Sequence, residues 1–221
     1  MRPPFSLLHL LLFIFLLSLL LAIAQLGLVT FAFDKLGLSL SSALLLLGSS
    51  LLGSIINLPL FSIRAENPRP RPQLPLSGLL GNIQRPFQGR TIIAVNVGGC
   101  LIPLLFSLYL IQQHPLAWLD IIIAIGIVSL VCYLFSRPVT GLGIAMPILI
   151  APLTAAITSL MVNIEYSAPL AYISGTLGVL IGADLLRLKN IRQMGTPLAS
   201  IGGAGTFDGI FLTGIVAVIL A

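Results

Sequence analysis

Apolar residues fall into seven long runs separated by short polar breaks, at about 6–29, 37–61, 91–112, 116–136, 139–163, 166–187 and 202–220. A membrane-crossing helix needs about 20 mostly apolar residues, and each run is near that length. The pattern therefore predicts an all-α fold, a polytopic transmembrane bundle of about seven helices. The polar breaks divide the chain into an N-terminal transmembrane hairpin (1–61), a Pro/Arg-rich linker (62–90) and a five-helix transmembrane unit (91–221). Within the linker, Asn67-Pro68-Arg69-Pro70-Arg71-Pro72 favours polyproline II with a solvated backbone. It reads as a stiff cytoplasmic spacer, with a docking site for a partner as the alternative.

Composition agrees with the pattern. With 57% hydrophobic residues, 8% charged residues and a mean hydropathy of +1.12, a chain of 221 residues cannot cover itself with a water-soluble surface. The lipid bilayer is its expected surrounding and the cytoplasmic membrane its expected location. The basic residues give an orientation, because short positively charged loops stay cytoplasmic. With the N-terminus cytoplasmic, Arg2, Arg64, Arg69, Arg71, Arg85, Arg90, Arg137, Arg187, Lys189 and Arg192 all lie inside, Lys35 lies outside, and the C-terminus is external. The net charge of +5 is thus an orientation signal, and nucleic acid is not needed to explain it. The first run also looks like a secretory signal with a small-residue site at Ala22-Ile23-Ala24, but it continues through Leu26, Leu28 and Val29, so a retained signal-anchor is expected.

Several residues interrupt the spans. Pro103, Pro147 and Pro152, with Gly141 and Gly143, and the cluster Gly202, Gly203 and Gly205 that opens the last run, read as breaks lining a substrate path or as simple kinks. Gly175, Gly178 and Gly182 share one face of the sixth helix, which suits close helix packing and lies nearly opposite Asp184. Cys100 and Cys132 sit in apolar runs and read as small hydrophobes, with no disulfide framework expected. His9 and His114 have no metal-ligand companion at i+4, and no phosphate-binding or nucleophile-elbow motif occurs, so neither a metal nor a cofactor is expected. Asp120, Glu165 and His114 fall at the outer boundary, and Glu66 lies in the linker.

Asp184 and Asp208 are different: both lie within apolar runs, where a carboxylate costs about 2.5–3.5 kcal/mol or more and marks a functional site by default. They fall near the cytoplasmic ends of consecutive, oppositely directed helices, and such neighbours commonly pack together. Two close carboxyls in a low-dielectric site cannot both ionise easily, so one keeps its proton while the other acts as a base. An aspartyl protease uses such a pair to activate water against a peptide carbonyl. The bland readings are that Asp208 caps its helix with help from Thr206, and that Asp184 pairs with Arg187 or Lys189.

The segment Gly205-Thr206-Phe207-Asp208-Gly209-Ile210-Phe211 resembles the Gly-x-Gly-Asp element of the presenilin and signal peptide peptidase group of intramembrane aspartyl proteases. Phe207 stands at that element's second glycine, and Ala183 stands where a tyrosine usually precedes the first aspartate. The resemblance covers about residues 170–221 and implies Asp184 and Asp208 as catalytic residues. It implies Gly205, Thr206, Phe207 and Gly209 as substrate-binding residues, and a transmembrane peptide as substrate. Most of the chain is similar to a prokaryotic family of multi-pass membrane proteins of uncharacterised function whose C-terminal end carries a GTFDGIFLTG segment. Two other function classes fit the residues: a proton- or cation-coupled transporter using the same carboxylates, with Asn96 and Asn163 as extra polar ligands, and a non-catalytic membrane scaffold.

Overall fold

A computed structural model describes residues 18, 27–64, 89–139, 143–193, 198–203 and 209–221. It is mostly helical. The described α-helices are α1 (Gly27–Lys35), α2 (Leu40–Gly53), α3 (Ile102–Gln113), α4 (Trp118–Phe135), α5 (Ile150–Val162), α6 (Ser167–Val179) and α7 (Gly209–Leu220). A π-helical turn, Val97–Leu101, leads into α3, and a second, Leu180–Leu185, extends α6.

Among the described residues, five short strands break the expected all-helical pattern. β1 (Asn57–Arg64), β2 (Arg90–Asn96) and β5 (Leu198–Ile201) form one sheet in the order β1-β2-β5. β1 pairs antiparallel with β2 and β5 pairs parallel with it. β3 (Arg137–Val139) and β4 (Gly143–Ala145) make a separate antiparallel pair. β2, β4 and the first part of β1 occupy stretches expected to be membrane helix, whereas β5 and most of β3 fall in the expected polar breaks. A continuous apolar run such as Ile92-Ile93-Ala94-Val95 has no period that separates a buried strand from a buried helix.

The expected helix lengths are corrected accordingly. Among the described residues, Trp118–Phe135 and Ser167–Leu185 are long and apolar enough to cross a membrane. A third candidate is α1 with α2, a pair bent by 111° at its break. Val97–Gln113, Ile150–Val162 and Gly209–Leu220 are apolar but shorter. Pro152, expected to kink a span, lies in the first turn of α5, where a missing N–H leaves no helical bond unmade, whereas Pro103 follows directly on the π turn, where its missing N–H breaks the helical ladder and the Gly98 carbonyl accepts from Ser50. Ser39 caps α2 by accepting from the Ser42 N–H, and His114-Pro115 ends α3 because the residue before proline avoids helical geometry.

Helices α3 to α7 alternate in direction, so their connections gather at two ends. The sheet, the β3–β4 pair and the basic residues Arg64, Arg90, Arg137, Arg187, Lys189 and Arg192 share one end. At the opposite end, Lys35 Nζ donates to the Val218 carbonyl (3.4 Å), Ser167 donates to the Ala221 carbonyl (3.3 Å), and Asn163 Nδ2 donates to Asp120 (3.1 Å). His114 and Tyr166 meet there edge to face.

α6 is the central helix: 78% of Ser167–Leu185 is buried within the protein, against 28% of Trp118–Phe135. Small residues let its neighbours approach. A Cβ at Gly178 would lie 2.7 Å from Val128 Cβ, and one at Gly182 would lie 2.9 Å from Cys132 Cβ, so α4 packs directly on this face. Gly175 instead faces Thr213, Ala155 and Ala217, which brings α5 and α7 onto α6. The three glycines thus serve two contacts rather than one. Hydroxyls line the interior as well: Ser159 and Ser174 lie 3.4 Å apart, and Tyr172 and Thr176 are fully buried.

Candidate functional site at the sheet end

Asp184 stands in the π-helical turn that ends the longest buried helix. Such turns insert an extra residue into the helical ladder and recur at functional sites, because they re-aim side chains at a cost in helix stability. Asp184 is half-buried, and its Oδ2 is sealed from solvent. It lies within electrostatic range of the Cys132 thiol on α4. Cys100 and Cys132 are both buried, and no disulfide joins them.

Arg187 follows the π turn and binds the end of α4. Its Nε donates to Ser136 Oγ (3.2 Å), an Nη donates to the Tyr133 carbonyl (2.6 Å), and its guanidinium stacks 4.2 Å from the Tyr133 ring centroid. A cation at a helix C-terminus is favourable because the last carbonyls lack helical partners. Arg187 therefore fixes the end of α4 beside the helix that carries Asp184.

The other wall of this region is built from backbone. Gly98 and Gly99, in the π turn after β2, press against the end of α2 and against Gly202 after β5. A Cβ at Gly98 would overlap Ser50 O and Ser54 N, and one at Gly202 would lie 2.7 Å from Cys100 N. Gly202 and Gly203 both have positive φ, 81° and 85°, a conformation open to glycine at little cost. Two adjacent parallel strands thus end in interlocked glycine turns, each leading toward a helix.

Buried polar side chains tie these pieces together. Asn96, fully buried, caps the first π turn: its Oδ1 accepts from the Gly99 N–H (2.7 Å), while Nδ2 donates to the Ser54 carbonyl (2.6 Å) and Asn57 Oδ1 (3.1 Å). Ser200 Oγ donates to the same Asn57 oxygen (2.5 Å), and Ser50 donates to the Gly98 carbonyl (2.5 Å). Asn96 was legible as a polar residue in an apolar run. Asn57, Ser200 and Ser50 were not singled out by sequence; the one signal was their polarity in or beside long apolar stretches.

Of the sequence-predicted site residues, Asp184 and Gly209 are described. Gly209 is exposed and is the first residue of α7. Asp208, Gly205, Thr206 and Phe207 lie outside the described residues, as do the Pro-Arg segment of the linker and the possible cleavage site near Ala24. Among the described residues no group of three His, Cys, Asp or Glu side chains is placed to hold a metal ion.

These features define a mostly helical protein with two or three apolar helices of membrane-crossing length and a small sheet at one end. The chain belongs to the family described as "Protein of unknown function (DUF1614)", whose sequence model matches residues 51–220. No curated protein and no solved structure matches it.

Proposed function

We propose that the chain is a multi-pass protein of the cytoplasmic membrane and an intramembrane aspartyl protease, with Asp184 and Asp208 as its catalytic pair. The observation that carries this reading is Asp184 itself: a carboxyl with one oxygen sealed from solvent, in a π turn, on a buried helix of membrane-crossing length. α6 and α7 are packed neighbours through Gly175 and Gly214, and Asp208 immediately precedes the first residue of α7 in sequence. In the proposed site the two aspartates act as a pair. In this reading one holds a proton and polarises the scissile carbonyl while its partner draws a proton from water. Gly205, Thr206, Phe207 and Gly209 line the approach of a transmembrane peptide. The resemblance to the presenilin and signal peptide peptidase group supports the same assignment.

The membrane orientation is part of the proposal. The sheet end carries the described basic residues other than Lys35, and the opposite end carries Lys35, Asp120 and Glu165, which fits a cytoplasmic sheet end and an external opposite end. A proton- or cation-coupled transporter is the second reading, favoured by the buried hydroxyls of Ser159, Ser174, Tyr172 and Thr176 within the bundle.

The deciding experiment reconstitutes the protein in vesicles with a fluorogenic transmembrane peptide. Cleavage is expected, with its loss in both Asp184→Asn and Asp208→Asn. Absence of cleavage together with an Asp-dependent proton flux would replace the protease reading with the transporter.

A further inference from the structure

β5 is short for the task it performs. Its four residues lie at the edge of the sheet and pair in parallel with β2, from Ile92↔Leu198 to Val95↔Ile201. Parallel pairing is slightly less stable per residue than antiparallel pairing, and Leu-Ala-Ser-Ile offers little alternation to fix a register. Yet register matters here. A slip of one residue would carry a side chain into the position where Gly202 lies against Cys100.

One polar connection spans the sheet. Ser200 on β5 reaches Asn57 on β1 across the central strand, where the residue paired with Ser200 is Ala94, whose methyl leaves the path open. Asn57 is held in turn by Asn96, and Asn96 is anchored to the end of α2 and to the π turn. Asn96 is fully buried, so water does not compete for its bonds, and bonds of this kind reinforce one another in a low dielectric.

We propose that Asn57, Asn96 and Ser200 are positioning residues that set the register of β5, and so fix where the chain turns through Gly202 and Gly203 toward α7. Its catalytic consequence rests on the aspartyl protease reading, because Asp208 lies in sequence between this turn and α7. None of the three side chains is a catalytic residue.

The test separates positioning from catalysis. The native Cys100 supplies a reporter of the turn after β5: its thiol side chain is buried and packs directly against Gly202, and Cys132→Ala removes the second cysteine of the chain. Maleimide labelling is followed in membranes with and without Asn57→Ala, Ser200→Ala and Ser200→Thr. Each alanine variant is expected to label about fivefold faster, the factor that one net hydrogen bond contributes to a local opening equilibrium, and Ser200→Thr is expected to restore the slow rate. With both native cysteines in place, the alanine variants should lower turnover of the transmembrane peptide while leaving KM and the thermal midpoint near those of the parent. Ser200→Ala removes only one hydroxyl from an edge strand and decides the matter if Asn57→Ala lowers the yield of folded protein. Unchanged labelling would overturn the proposal, as would full Asp-dependent turnover in the alanine variants. If the parent cleaves nothing, or Asp184→Asn cleaves as well as the parent, the protease reading falls and labelling alone decides the positioning role.

Discussion

At the scale of single residues, the glycines of α6 and α4 separate packing from propensity. Gly182 has no room for a side chain beside Ser129 and Cys132, whereas Gly126, on the exposed side of α4, has nothing within 4 Å of an added Cβ. Gly182→Ala is expected to destabilise the protein by about 1–3 kcal/mol through overpacking. Gly126→Ala should stabilise it by about 0.5–1 kcal/mol, the helix-propensity difference. Thermal unfolding in a mild detergent measures both, and equal shifts would contradict the packing described. Asp184 was readable because a carboxylate stands out in an apolar run. Asn57 and Ser200 gave a weaker signal, since isolated neutral polar residues are common in membrane helices, and their role depends on contacts between positions far apart in the chain.

At the scale of elements, α4 and α6 differ in what surrounds them. α4 leaves Ile122, Ile127, Leu130 and Leu134 exposed, while α6 is enclosed. If that face meets lipid, Ile127→Lys costs about 3 kcal/mol of insertion free energy. The inserted fraction of the α4 segment in a glycosylation-mapping assay should then fall sharply. The same substitution on a water-facing helix would be nearly neutral.

The sequence pattern marked α4 and α6 closely, 116–136 against Trp118–Phe135 and 166–187 against Ser167–Leu185, because each is one unbroken apolar helix. It ran together strand and helix where both are apolar, as in 91–112, which divides into β2, a π turn and α3. Pro103 was ambiguous for the same reason: a proline reads as a kink or a start depending on where the helix begins.

For the molecule as a whole, the separation of basic residues from Lys35 fixes an expected topology. Reporters placed between His114 and Ala117 should read as external, and reporters between β3 and β4 as cytoplasmic. A fusion series with a periplasm-active and a cytoplasm-active reporter checks this, and the reverse pattern would sink the orientation.

The sheet also imposes an order on assembly. β1 and β2 leave the ribosome early, but β5 follows β2 by about 100 residues, on the order of ten seconds of synthesis at about 5–20 residues per second. Through that interval the edge of β2 that will receive β5 stands without its partner, and α3 to α6 are synthesised beside an incomplete sheet. The last strand to emerge closes it. A chain truncated before Leu198 would therefore carry a sheet that never closes, with the backbone groups of the β2 edge left open to another strand.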